Sequence, residues 1–309
     1  MSSGKPIFIL TGVLSSLLFL FCDDVLAWGP GIHIAQGQFV FENLSLVLPA
    51  IRELLQHYPI DFLYGCMSAD IFIGKGSRRR DNHCHNWAIG LKMLLVAQEP
   101  FEKAFTYGYL SHLAADTVAH NFYIPNLLYR TSTTRKFGHL YWEFRSDIFT
   151  EKKYWKIAKE VIVHHDPRAD HFMVQTVPHR IFSFNTKKRI YSTSIHIYDL
   201  DQWRQTVTLV SQRSRWEVTR EYIEYLKKLS FYLTIDFLSN PQQAVCLNYD
   251  PVGSDNIREA KKRRRLVRKL NGKNPTNMGF EIPSEMAERV ATIENERFFH
   301  QKREERYVY

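Results

Sequence analysis

Residues 101–123 read FEKAFTYGYLSHLAADTVAHNFY, and their apolar side chains recur at intervals of three and four residues. This period predicts a long helix with a buried face. Within it, His112, Asp116 and His120 stand four residues apart, so they lie close together along one side of the helix. Imidazoles and a carboxylate in one row on an apolar helix indicate a helical protein built around a metal site.

The same periodicity runs through most of the chain, which predicts an all-α fold, a single-domain multi-helix bundle with its ligands at a cleft between helices. The chain has 309 residues, of which 45% are hydrophobic, enough for one substantial core. Further helices are predicted at 49–58, 87–98, 139–147, 151–165, 202–214 and 216–238.

Three stretches are predicted to interrupt the helices. Pro125 marks a point by which the helix from residue 101 has ended. Residues 188–200, KRIYSTSIHIYDL, alternate weakly and suggest a short hairpin. Residues 164–172, HHDPRADHF, are dense in His and Asp, but Pro167 breaks the pattern and favours a solvated surface loop, with a chance metal site as the alternative.

The first 27 residues have the pattern of a secretory signal peptide. The apolar run 7–21 is shorter than the roughly 20 residues that span a bilayer. Val25-Leu26-Ala27 supplies a small-residue cleavage pattern, so we expect cleavage before Trp28 and a secreted or periplasmic protein. An uncleaved anchor and a lipoprotein at Cys22 are the alternatives.

The chain is basic, with 41 Lys and Arg against 32 Asp and Glu and a formal net charge of +9. Loss of residues 1–27 would raise the charge to +10, because one Lys and two Asp would leave. This balance favours anionic partners, either phospholipid surfaces or nucleic acid. A basic run, KKRRRLVRK at 261–269, lies in residues 246–309, which we interpret as a charged helical C-terminal extension. It is either a solvated or packing arm or an arm that binds membranes or polyanions.

Cysteine usage bears on the same question of export. Cys22 would leave with the signal peptide, so three cysteines would remain. In an oxidising compartment Cys66 and Cys84 are candidates for a disulfide that leaves Cys246 single.

The spacing within the helix limits how metal can bind. His112 and His120 are separated by about 12 Å along the helix axis, too far to meet on one tetrahedral ion with Zn–N bonds of about 2.1 Å. The geometry therefore predicts at least two ions, with Asp116 able to bridge them. His139 and Glu143, in HLYWE, repeat the four-residue spacing and are able to complete the site that His120 begins.

Further candidate ligands lie upstream of this helix. Asp70 stands in an apolar setting, His83 and His85 come just before a predicted helix, and His33 follows the predicted cleavage site. Trp28 is a ligand of another kind. Cleavage before it would expose an α-amino group that chelates a cation together with its own carbonyl, while the buried indole holds the terminus in place.

Taken together, these residues resemble the zinc-dependent phospholipase C family, which shares its fold with fungal single-strand nucleases. In that family the mature chain begins with a Trp whose amino nitrogen and carbonyl oxygen bind zinc. The resemblance spans Trp28 to Asp147 by motif and extends by pattern to about residue 240. The residues that carry it are Trp28, His33, Asp70, His85, His112, Asp116, His120, His139 and Glu143.

The resemblance implies three Zn²⁺ ions, two of which share Asp116 as a bridge. The implied ligand groups are Asp70, His85, His112 and Asp116; Asp116, His33 and the Trp28 terminus; and His120, His139 and Glu143. One point departs from the family pattern, and another stays open. His120 follows Asp116 by four residues where the family leaves a wider gap, and His83 competes with His85, which we prefer.

The resemblance implies that residues 28–245 form a catalytic domain that hydrolyses phosphodiester bonds, as a phospholipase C acting on glycerophospholipids in contact with a membrane surface. Asp70 and Asp116 are the candidate catalytic residues, and Asp70 acts either as a base or only as a ligand. The alternatives are a zinc-dependent single-strand nuclease or phosphomonoesterase, with nucleic acid as substrate, and a non-catalytic metal-stabilised binding module. No protein partner is inferred.

Overall fold

The structure is a computed structural model that describes residues 28–72, 83–129, 131, 138–178, 183–214, 216–269 and 279–306. Within residues 138–140, 268 and 299–306 it describes the backbone alone. The signal peptide predicted at 1–27 lies outside the described residues. Every regular element in the described part is helical and none is a strand, which confirms the all-α class.

The α-helices are numbered in chain order. They are α1 (Pro30–Phe41), α2 (Pro49–His57), α3 (Pro59–Ser68), α4 (Trp87–Val96), α5 (Pro100–Val118), α6 (Ile124–Leu128), α7 (Gly138–Asp147), α8 (Lys152–His164), α9 (Pro167–Thr176), α10 (Phe184–Tyr198), α11 (Asp201–Gln212), α12 (Arg220–Ser239), α13 (Ser254–Lys269) and α14 (Ser284–Arg306). Short 3-10 turns occupy Leu44–Leu46, Ala69–Ile71 and Val245–Asn248, and a π-helical segment occupies Ala119–Tyr123.

The starts of these helices are encoded locally. Proline stands in the first turn of α1, α2, α3, α5 and α9, where its missing N–H leaves no bond unmade. Other helices begin after a side-chain cap: the Asn86 side chain accepts from the N–H of Ala88, and that of Thr219 from the N–H of Tyr222. These signals explain why helix positions were largely predictable.

Helices α3 and α5 cross at two glycines, and this crossing positions the site. A Cβ added at Gly65 would lie 2.0 Å from the carbonyl oxygen of Phe105, and one at Gly108 would lie 2.0 Å from that of Phe62. The two backbones are therefore in direct contact, which only glycine allows. The close approach brings the C-terminal end of α3 against the His112 turn of α5.

Two sequence predictions about regular structure are wrong. The hairpin predicted at 188–200 is helix α10, capped by Ser183, because the buried residues Phe184, Tyr191, Ile195 and Tyr198 follow helical spacing. The β-branched and aromatic residues of this stretch, which alternate weakly, had suggested a strand.

Helix α5 ends at Val118, before Pro125 as the sequence predicts, but the chain stays helical beyond it. The π-helical segment Ala119–Tyr123 carries the chain into α6, in which Pro125 stands in the first turn. A π segment adds a residue to one turn, so it shifts the register of the residues that follow. His120 lies inside this segment.

The surface loop predicted at 164–172 is also wrong. Asp166 caps helix α9, which starts at Pro167, and His165 is buried with its ring stacked on Tyr64 at 3.8 Å between centroids. Asp170 accepts from Tyr64 and from Lys188. These polar residues connect α3, α9 and α10 through ring stacking and hydrogen bonds rather than forming a solvated loop.

The last two helices pack on the rest of the fold. On α14, Arg289 Nε lies 2.6 Å from Asp236 Oδ1 of α12, and Glu294 lies 2.6 Å from Lys228 Nζ of the same helix. This region is predicted as a separate extension, and its boundary at residue 246 stays a prediction. None of the helices in the described part of the chain has the length and apolar composition that a bilayer span requires.

Cys66, Cys84 and Cys246 are buried thiols, so the bridge considered between the first two is not formed. The two sulfurs face different neighbours. A Cβ added at Gly37 on α1 would lie 3.4 Å from Cys66 Sγ, whereas Cys84 Sγ lies 3.3 Å from His85 Nδ1.

Candidate metal centre

Side chains from four parts of the chain converge beside α5. Asp70 lies in the 3-10 turn after α3, His85 lies just before α4, and His112 lies on α5. Ligand atoms of these three residues all lie within 4.8 Å of one another, and so do those of His33, His112 and Asp116. Two groups of possible metal ligands therefore share His112.

Asp116 is the centre of the cluster. Its Oδ2 lies 3.2 Å from His85 Nε2, 3.3 Å from His112 Nε2 and 3.5 Å from His120 Nε2. Its Oδ1 lies 3.5 Å from His33 Nε2. One buried carboxylate therefore faces four imidazoles, and the bridging role of Asp116 between ions stays a prediction.

The spacing of the donors is that of ligands around a small ion. Tetrahedral ligands with bonds of about 2.1 Å lie about 3.4 Å from one another. In the first group, His85 Nε2 lies 2.9 Å from His112 Nε2 and 3.2 Å from Asp70 Oδ1, while His112 Nε2 lies 3.8 Å from the same oxygen. The donor set, nitrogen and oxygen without an ammonium or guanidinium, fits zinc.

Hydrogen bonds behind the imidazoles point their other nitrogens into the cluster. His112 Nδ1 lies 2.8 Å from the carbonyl oxygen of Cys66, which can only accept, so Nδ1 donates and Nε2 keeps its lone pair. This bond is a direct product of the close crossing of α3 and α5. Such a partner fixes the tautomer and orientation of a metal-binding histidine.

Gln36 does the same for His33. Its Nε2 donates to the carbonyl oxygen of Ser111 and to Thr234 Oγ1, each at 2.6 Å, which turns its Oε1 toward His33 Nδ1 at 3.2 Å. His33 Nδ1 therefore donates, and its Nε2 offers a lone pair to the centre. Gln36 was missed in the sequence, where the only signal is that a side-chain amide follows the predicted ligand His33 by three residues.

The electrostatics keep His33 and Asp116 in their metal-binding forms. Burial, together with the nearby His112, lowers the pKa of His33 to about 4, so His33 is neutral at pH 7. Burial pushes the pKa of Asp116 upward, but the closeness of His112 and of the other imidazoles outweighs it and holds that pKa well below its usual range. A neutral His33 beside an ionised Asp116 is what a divalent cation binds.

Several buried nitrogen and oxygen atoms of the cluster lack hydrogen-bond partners within the described part of the chain. They are His33 Nε2, Asp116 Oδ1 and both ring nitrogens of His120. The contacts of His33 and His120 with Asp116 are near 3.5 Å and do not have hydrogen-bond geometry. Buried polar atoms without partners are costly, and a cation among them would remove that cost.

Trp28 is locked next to this centre. Its side chain is fully buried, its Nε1 donates to Ser230 Oγ of α12 at 3.0 Å, and its ring stacks on Tyr123 at 4.9 Å. Ser230 Oγ in turn donates to the carbonyl oxygen of Ala115, beside Asp116. Ser230 was also missed, because it is 202 positions away from Trp28 and carries no local signal.

The remaining predicted ligands occupy different positions. Glu143 on α7 is buried, and His139 lies on the same helix, where its side chain is outside the described residues. Their grouping with His120 in a third site stays a prediction, and the structure places His120 beside Asp116. His83 Nδ1 accepts from the N–H of His85 at 3.1 Å, whereas the ring of His85 itself enters the cluster.

Asp147 is a buried carboxylate that the sequence did not single out. A Cβ added at Gly29 would lie 2.1 Å from its Oδ2, so it borders the segment that follows Trp28. Its pKa is raised to about 8 by burial, against the opposing effects of Arg204 and Lys227. The available signal was the four-residue spacing of His139 and Glu143, which Asp147 continues.

An all-α fold with a buried centre of imidazoles and carboxylates defines a class of helical metal-dependent proteins. A family model for zinc-dependent phospholipase C matches residues 32–210. Because this match covers more than half of the chain, the chain belongs to the zinc-dependent phospholipase C family. No curated protein and no solved structure gives a match.

Proposed function

We propose that the chain is an exported phospholipase C that hydrolyses glycerophospholipids to a diacylglycerol and a phosphorylated headgroup. The observation that carries the proposal is the Asp116 carboxylate, buried and faced by four imidazoles with Asp70 nearby. Membership of the zinc-dependent phospholipase C family supports zinc as the metal and a phospholipid as the substrate.

When bound at this centre, zinc supplies positive charge against the phosphate and lowers the pKa of water toward about 7. Three ions, as the sequence resemblance implies, would be held by the ligand groups given above. The chain's own part is to keep His33 and His112 oriented through Gln36 and the Cys66 carbonyl. Asp116 remains ionised, so it offers one oxygen to each side of the centre.

We propose that Asp70 accepts the proton of the attacking water as a general base. Water attacks phosphorus, the bond from phosphorus to the diacylglycerol oxygen breaks, and that oxygen takes up a proton. Asp70 Oδ1 lies 3.2 Å from His85 Nε2, so it lies at the centre and is also placed to act only as a ligand. Asp70→Asn separates the two roles. If Asp70 is the base, the variant loses turnover and keeps zinc. If Asp70 is a ligand, the variant loses both.

The second candidate, a zinc nuclease or phosphomonoesterase, is favoured by the formal net charge of +9. The test is an assay of the purified mature chain against phosphatidylcholine vesicles and single-stranded DNA, each with and without a chelator. Chelator-sensitive turnover of lipid alone supports the proposal. Nucleotide release without lipid turnover would replace it with the second candidate, and no turnover of either would leave a metal-stabilised binding module.

The proposal includes export with cleavage between Ala27 and Trp28, because only cleavage creates the amine that the resemblance places on zinc. The buried indole of Trp28 and its bond to Ser230 support a fixed position for this terminus. N-terminal sequencing of exported protein should begin at Trp28. A chain that retains residues 1–27 in its active form would contradict this part of the proposal.

A further inference from the structure

The basic run predicted at 261–269 is part of a folded amphipathic helix. In α13, Ile257, Ala260 and Val267 are buried at helical spacing and fix the inner side. We call the opposite side the outer face of α13. Its exposed residues are Arg258, Lys262, Arg265, Leu266 and Lys269.

Helix α13 packs closely against the segment that carries His120 and is hydrogen-bonded to it. Gly253, just before the helix, has φ of 60°, and a Cβ added there would lie 2.1 Å from the carbonyl oxygen of His120. Asn256 Nδ2 donates to the carbonyl oxygen of Asn121 at 3.1 Å, and Asn121 Nδ2 donates to that of Asp250 at 2.8 Å. The outer face therefore has a fixed position relative to the metal centre.

Charge on this helix is unevenly distributed. At its start Arg258 pairs with Asp255 at 2.7 Å, and Lys262 lies 3.5 Å from Glu259. Residues 261–269 hold seven cations and no acidic residue. Arg265 and Lys269 form no ion pair with any residue that the structure describes. The second half of the outer face is thus strongly positive.

Leu266 lies among these cations and is 45% exposed. A helix with a folded core side and an exposed face of Lys and Arg around an apolar residue is suited to an anionic bilayer, where the cations meet lipid phosphates and the apolar side chain enters the interface. The phosphates of a nucleic acid would engage the cations and leave Leu266 without a partner.

We infer that the outer face of α13 docks the protein on an anionic phospholipid surface. This inference rests on the proposed function for its purpose, but the docking itself is a binding event that does not require turnover. It assigns a role to a cationic surface that the metal centre does not use.

The test is sedimentation of the full mature chain with vesicles of phosphatidylcholine alone and of phosphatidylcholine with phosphatidylserine. The test variant is Lys262→Gln, Arg265→Gln and Lys269→Gln combined. A cation near an anionic bilayer strengthens binding roughly fivefold, so the triple variant should bind the mixed vesicles roughly 100-fold more weakly. Binding should also weaken as salt concentration rises.

The matched control is Lys92→Gln, Lys153→Gln and Lys156→Gln combined. These lysines are also exposed and the net charge falls by the same amount, but they lie on α4 and α8. The control should lose less than about fivefold, the effect of a single cation. Equal losses in both variants would mean that net charge, not the outer face, causes binding, and would overturn the inference.

Leu266→Ala distinguishes a lipid surface from a nucleic acid. It should weaken binding to mixed vesicles several-fold and leave any binding to single-stranded DNA unchanged. Binding to single-stranded DNA that depends on Lys262, Arg265 and Lys269, with no binding to mixed vesicles, would overturn the inference in favour of a nucleic-acid surface. Wild-type chain that does not bind the mixed vesicles at low salt would also overturn it.

The outcome for docking is separable from the outcome for the proposed function. Mixed-vesicle binding without lipid turnover contradicts the proposed function and supports docking. If the triple variant hydrolyses a soluble short-chain phosphatidylcholine at the wild-type rate but mixed vesicles more slowly, docking is supported as well. A variant with wild-type rates on both substrates and wild-type vesicle binding contradicts docking alone.

Discussion

Replacing Gln36 by leucine tests whether the centre depends on a residue that touches no metal. Gln36 is fully buried, and its Oε1 is the acceptor for His33 Nδ1. Leucine has a similar volume but accepts and donates no hydrogen bond. The variant therefore removes the bond that turns the His33 lone pair toward Asp116, while it leaves every predicted ligand in the chain.

The magnitude follows from the hydrogen bonds that Gln36 makes. Loss of a partner behind a metal-binding histidine weakens metal binding about 10- to 100-fold, which is about 1.4 to 2.7 kcal/mol. The bonds of Gln36 to Ser111 and Thr234 are lost as well. We therefore expect a loss of stability of about 1 to 3 kcal/mol in the zinc-free protein.

The assay is competition for zinc against a chelator of known affinity, with thermal unfolding of the zinc-free protein measured in parallel. Thr117→Val is the control, because Thr117 is fully buried next to Asp116 and, among the residues that the structure describes, its hydroxyl donates only to the carbonyl oxygen of Ala114. It should lower Tm and leave zinc affinity within about threefold of wild type. The reasoning is refuted if Gln36→Leu keeps wild-type affinity, or if Thr117→Val loses as much.

Three further predictions concern the terminus, the π segment and pH. A tag placed directly ahead of Trp28 should remove one zinc and most turnover, whereas a tag after Tyr309 should change neither; equal zinc content in the two proteins would remove the terminus from the site. Gly253→Ala, at φ of 60° and against the carbonyl oxygen of His120, should cost about 1 to 3 kcal/mol of stability and lower zinc content, and an unchanged Tm would contradict the close contact. His33 has a pKa of about 4 in the folded zinc-free protein and of 6.5 in the unfolded chain. As pH falls, the unfolded chain therefore binds the proton first, and the folded state loses stability. The free energy of unfolding should fall progressively between pH 6.5 and pH 4, by about 3 kcal/mol. Urea unfolding from pH 7.5 to 4.5 should show this slope, and His33→Gln should flatten it; equal slopes would show that another group is responsible.

Much of the fold was predictable because its signals are local. Proline in the first turn, side-chain caps and apolar periodicity define where helices such as α5 begin and which side is buried. The convergence of His112 and Asp116 also follows from their four-residue spacing. The hairpin error at 188–200 arose because Ile and Tyr suit a strand as well as a buried helix, and only packing decides between them.

What was missed depends on contacts between distant residues. Gln36 is recognisable as the partner of His33 only when Ser111 and Thr234 are seen on the other side of it. The loop predicted at 164–172 rested on Pro167, which instead starts α9, and the partners of His165 and Asp170 are far away in the sequence. The close packing of α13 against the His120 segment, at Gly253, is likewise invisible in a basic run.

The most direct test of the account is the zinc content of the processed chain and of its Asp116→Asn variant, measured by native mass spectrometry beside lipid turnover. Asparagine keeps the shape of the side chain but removes the negative charge that faces four imidazoles. We predict at least two zinc ions in the wild-type chain, loss of at least one in the variant, and no detectable turnover by the variant. An Asp116→Asn protein with the wild-type zinc content and wild-type turnover would contradict the account.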